Sequence, residues 1–132
     1  MKPRSGRTRL PAKMNCAQAR ETARHVLAEH HASDPLVADV LTVVSELVSN
    51  AIRHAGGVTG FHITVRAGQV TIEVSDGSAL QPHLRPPSPK TPGGFGWRVV
   101  KTLAPTTYIR FHRTGKTIVA TLPTHPGPPP AP

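Results

Sequence analysis

In 132 residues there is one cysteine, one tryptophan, one tyrosine and three phenylalanines. With Cys16 alone no internal disulfide can form, and without a Cys-x-x-Cys pair there is no zinc ribbon. Eight histidines are present, but only His30 and His31 adjoin and no His-x-x-x-His occurs, so a histidine-held metal centre is not indicated either. So few aromatic residues leave no stacking platform for single-stranded nucleic acid. No uninterrupted run approaches the roughly 18 apolar residues of a membrane span, and Met1 to Leu10 is basic without the apolar centre of a signal peptide. The expectation is a cytoplasmic protein with no membrane partner.

Acidic residues are also scarce: seven Asp and Glu face sixteen Lys and Arg, for a formal charge of +9. Such an excess suits a nucleic-acid binder. Its distribution argues against one, because Lys2, Arg4, Arg7, Arg9 and Lys13 crowd the start while the rest are scattered. No specific nucleic-acid partner is expected. The prolines fall in two groups, five between Pro82 and Pro92 and six between Pro123 and Pro132. These mark a basic arm (1–7), one domain (8–123) and a proline-rich tail (124–132), with a loop inside the domain long enough to act as a lid.

Asp34-Pro35-Leu36 reads as cap, first helical residue and start of an apolar stripe, stopped by Gly56-Gly57. The stripe comprises Leu36, Val37, Val40, Leu41, Val44, Leu47, Val48, Ala51 and Ile52. A weaker helix precedes it, about Cys16 to His31, turning Ala19, Ala23, Val26, Leu27 and His30 inward. Phe61, Ile63 and Val65, then Val70, Ile72 and Val74, alternate with polar residues as two strands of a hairpin. A helix from about Phe95 to Leu103 and a second hairpin, Thr106 to Phe111 and Lys116 to Leu122, follow, and Thr8 to Ala12 is an expected edge strand. Short turns between strands predict an α+β, two-layer sandwich: a mixed, mostly antiparallel sheet with about three helices on one face.

Four polar signals punctuate this pattern. Glu46, Asn50 and His54 stand four apart on one line of a helix, so a carboxylate, an amide and an imidazole can meet one ligand. The amide oxygen of Asn50 suits magnesium, and Glu46 is one turn away to accept a proton. Asp76-Gly77-Ser78 closes a strand, where a carboxylate can accept from an exocyclic amine. Gly93-Gly94-Phe95-Gly96 opens a helix with unobstructed backbone amides, a phosphate-binding arrangement that is neither a P-loop nor a Rossmann turn. Gly115-Lys116-Thr117 begins the last strand, where the Thr117 hydroxyl can reach a base or a water. Each signal has an ordinary structural use: solvated helix flank, turn, flexible helix entry, surface residue. Trp97 reads as a packing residue.

In this order the signals resemble the Bergerat fold, the ATP-binding domain shared by gyrase, Hsp90-type chaperones, histidine kinases and MutL. Ser45-Glu46-Leu47-Val48-Ser49-Asn50-Ala51-Ile52-Arg53-His54, a short Asp76-Gly77-Ser78 and Gly93-Gly94-Phe95-Gly96 look most like the small stand-alone anti-sigma-factor serine kinases and their actinobacterial relatives. That resemblance, covering about Thr8 to Pro123, implies ATP and Mg2+ as cofactors. It implies Glu46 as the catalytic base, Asn50 as the magnesium ligand and Asp76 as the adenine reader. Gly94 and Gly96 would serve the phosphates, with His54 near the phosphates, Thr117 near adenine and the segment from Ala79 to Pro92 as the ATP lid.

The implied function is an ATP-dependent serine/threonine-protein kinase that regulates transcription by partner switching, with a sigma factor and an anti-anti-sigma antagonist as partners and a homodimer left open. An ATP-binding regulatory module with little or no transfer activity, and a basic nucleic-acid-binding protein, stand as alternatives. The later glycines of the Asp-x-Gly-x-Gly found in larger members are absent. No phosphoacceptor, dimerisation hairpin or transducer domain accompanies the fold, so a sensor kinase or topoisomerase does not follow. On this reading Asp76→Asn should weaken ATP binding far more than it destabilises the fold.

Overall fold

The computed structural model describes residues 14–79 and 96–125. Helix α1 (Cys16–Glu29) opens at Asn15, whose side chain accepts the Gln18 N–H at 2.8 Å while the Gln18 side chain accepts the Asn15 N–H at 2.9 Å. This reciprocal pair satisfies two donors that a helix start leaves orphaned. Ala19, Ala23 and Leu27 are buried, Val26 partly so. His30, expected to face inward, instead ends the helix exposed, its Nδ1 3.0 Å from the Val26 carbonyl oxygen.

Helix α2 (Asp34–Ala55) begins one residue earlier than its sequence suggests, because Ser33 is the cap: its hydroxyl accepts the Leu36 N–H at 3.3 Å. Asp34 is thereby placed in the first turn, where the helix dipole favours a carboxylate, and Pro35 follows where its missing donor costs nothing. By length and composition α2 could cross a membrane. Here it is the core helix, with Leu36, Val40, Val43, Val44, Leu47, Val48 and Ala51 buried. Ile52, assigned to the stripe from its spacing, is 44% exposed.

Strands β1 (Val58–Arg66) and β2 (Gln69–Asp76) form a hairpin, helix α3 (Gly96–Leu103) follows, and β3 (Tyr108–His112) and β4 (Gly115–Pro123) form a second hairpin. The sheet order is β1-β2-β4-β3, and every described neighbour is antiparallel. The strand period of two puts Ile63, Val70, Ile72, Val74, Ile118, Ala120 and Leu122 on one buried face. The helices cover that face, α1 and α3 each packing against α2, and Trp97 lies partly buried against the core. The architecture is an α+β two-layer sandwich. The other sheet face is polar, with Glu73 between Arg110 at 3.4 Å and His62 at 3.9 Å.

The expected strand Thr8 to Ala12, the basic arm, nearly all of the expected lid, Gly94 and the tail beyond His125 lie outside the described residues.

Candidate functional site

Helix α2 carries Glu46, Asn50 and His54 at successive turns, the first two half-buried and the third exposed. His54 lies with Arg53 in the last turn, where positive charge complements the negative end of the helix dipole. Glu46 is covered by α3. Gly96, the first residue of that helix, is buried, and a Cβ built on it would collide with Glu46 Oε1 and lie 3.0 Å from Glu46 Cδ. The glycine is therefore what admits the carboxylate to the start of α3, where the positive dipole end favours it. Glu46 and Gly96, separated by 50 positions, share one spot in the fold.

Asp76 ends β2 on the same helix-covered face, in phase with Val70, Ile72 and Val74. Its carboxylate does not stand free. Lys116 Nζ donates to Oδ1 at 3.0 Å, with side-chain exposures of 6% for the lysine and 3% for the aspartate. The Ser78 N–H donates to the same Oδ1 at 2.9 Å, and Lys116 Nζ donates to the Ser78 carbonyl at 3.4 Å. A buried charge needs a partner and hydrogen bonds, and this aspartate has both.

Gly115 builds the corner. Its φ of 150° is one that side chains rarely adopt, and a Cβ there would collide with the Asp76 carbonyl oxygen and approach Gly77 Cα at 2.8 Å. These are backbone atoms, which cannot swing aside. Gly115→Ala is expected to lower unfolding free energy by at least about 2 kcal/mol, combining backbone strain with overpacking. Urea denaturation followed by circular dichroism measures it, and an unchanged midpoint would contradict this account of the corner.

Thr117 follows Lys116 on β4 and is buried. The register pairs Asp76 with Lys116 and Ser75 with Thr117, so the threonine projects from the opposite sheet face. There its hydroxyl lies 2.7 Å from Ser75 Oγ and 3.2 Å from His112 Nε2. It does not adjoin Asp76; Lys116 does. The signal for that lysine is in the sequence, since Lys116 is in phase with Ile118, Ala120 and Leu122 while Thr117 is in phase with Thr121.

The candidate site thus comprises two polar loci on one helix-covered antiparallel sheet, one at the start of α3 and another where β2 and β4 meet. A model of the histidine kinase-like ATPase domain matches residues 10–122, and the chain belongs to that family. It is an ATP-binding domain of that type. Comparison with curated proteins found no significant match.

Proposed function

We propose that this ATP-binding domain is a protein serine kinase acting in transcription by partner switching, holding a sigma factor and phosphorylating a serine of an antagonist protein. The observation that supports it best is the Glu46 carboxylate lodged at the start of α3, one helical turn from Asn50. A helix start is a phosphate site, and a carboxylate beside it is positioned to act on the hydroxyl that attacks the phosphate.

Glu46 takes the proton of the substrate serine as its oxygen attacks. Asn50 offers its amide oxygen to magnesium. Asn50 would be its one protein ligand on this reading, since magnesium usually keeps several waters and takes phosphate oxygens from its substrate. The backbone at Gly96 would receive the phosphates and Asp76 the adenine amine, while the role of Gly94 rests on the resemblance of its motif. ATP supplies the phosphoryl group when bound. His54 is a weaker participant, since its exposed position also suits a helix end. The partner assignment rests on the resemblance of the motifs, that from Ser45 to His54 foremost.

The test combines titration calorimetry with a transfer assay. Wild-type protein should bind ATP in preference to GTP, more tightly with magnesium present, and Asn50→Ala should abolish the gain that magnesium gives. Incubation with Mg-ATP and an antagonist captured from the native cell should then phosphorylate one serine. Magnesium-dependent ATP binding without transfer would replace the kinase reading by that of a regulatory module in which nucleotide sets partner choice. Failure to bind at millimolar ATP would remove both.

A further inference from the structure

We propose that Lys116 is a second base-reading residue, donating a hydrogen bond to the ring nitrogen N1 of adenine while Asp76 accepts from the neighbouring 6-amino group. The proposal rests on the ATP-site reading above and deepens it by naming a specificity contact for the same pocket.

The inference starts from an accounting of donors and acceptors. An ammonium carries three N–H groups, and among the described residues Lys116 uses two, toward Asp76 Oδ1 and the Ser78 carbonyl. The third is uncommitted on a side chain only 6% exposed. Among the described residues both hydrogen bonds that the Asp76 side chain accepts fall on Oδ1 and none on Oδ2, on a side chain 3% exposed. A buried donor or acceptor left unmade is unfavourable, so a paired vacancy of this kind invites a ligand edge.

The vacancy has a definite pattern: one donor and one acceptor, side by side, held by an ion pair. The matching ligand edge has an acceptor beside a donor, which is how adenine presents N1 next to its amine. Gly77, between Asp76 and Ser78, is exposed and puts no side chain on that edge of the buried pair. The corner is also rigid, because Gly115 sets the backbone of β4 directly on the Asp76 carbonyl and thereby fixes where Lys116 emerges. Lys116 does two jobs on this account, balancing the Asp76 charge and reading the ring.

Base analogues separate these jobs. The full chain is titrated with ATP, with 1-deaza-ATP, in which N1 is replaced by C–H, and with purine riboside triphosphate, which lacks the 6-amine. Wild-type protein should bind each analogue about ten- to a hundred-fold more weakly than ATP, the cost of leaving a buried polar group unpaired. Lys116→Met should bind ATP and 1-deaza-ATP equally while still discriminating against purine riboside triphosphate, a selective loss that a merely structural lysine would not produce. If the single variant does not fold, Asp76→Asn combined with Lys116→Met removes both charges together, and it should lose discrimination against 1-deaza-ATP, while the asparagine oxygen can still accept from the 6-amino group. Equal wild-type affinity for ATP and 1-deaza-ATP overturns the proposal while leaving the ATP site intact. Discrimination against 1-deaza-ATP that persists without Lys116 overturns it too. Failure of all three nucleotides to bind overturns the ATP reading itself and the proposal with it.

Discussion

Glu46→Gln is expected to retain Mg-ATP binding and to lose phosphotransfer by about 10²–10⁴-fold, the usual contribution of a positioned general base. The substitution isolates chemistry from packing. Glutamine keeps the length and planarity of the side chain that fits against Gly96, so α3 need not shift. What it removes is the ability to accept a proton. Loss of transfer with binding intact would therefore assign the proton to Glu46, measured as labelled phosphate on the isolated antagonist beside a nucleotide titration of the same sample. A Gln variant transferring phosphate at the wild-type rate would remove Glu46 from the chemistry and leave it as packing at a helix start.

Asp76→Asn should destabilise the protein by about 3–5 kcal/mol, the cost of stranding a buried lysine without its counter-ion. Against a whole-domain stability of about 5–15 kcal/mol this is severe. It reverses the expectation formed from the sequence, in which the same change weakened ATP and spared the fold. The reason is the 3.0 Å contact to a Lys116 that has almost no exposure to water. Replacing both partners, Asp76→Asn with Lys116→Met, should recover much of the loss, because no unpaired charge then remains. Urea unfolding of wild type, both single variants and the double variant forms a closed cycle that yields the coupling. Additive losses, with no recovery in the double variant, would show that the two side chains do not support one another.

Much of the architecture was legible in the sequence because it rests on local periodicity. The stripe from Leu36 to Ala51 and the alternation of Ile63, Val70, Ile72 and Val74 mark faces that must leave water whatever the rest of the chain does. Cap chemistry was legible in kind and off by one residue in place, since Ser33, Asp34 and Pro35 each suit a helix start and only the observed Ser33 hydroxyl bond to Leu36 picks the cap. The Glu46, Asn50, His54 line follows from helix geometry alone.

Contacts between elements depended on the tertiary structure. Nothing local says that Gly96 must be a glycine because Glu46 lies against it, or that Gly115 must be one because the Asp76 carbonyl does. The pairing of β2 with β4 decided which of two adjacent residues meets Asp76. A strand turns neighbours to opposite faces, so a register that sets Asp76 beside Lys116 necessarily carries Thr117 to the other side. The sequence determined which residues could bear chemistry and which faces they share. The tertiary structure decided which of them meet, because charge pairing and close approach depend on distances in space between residues 40 and 50 positions apart.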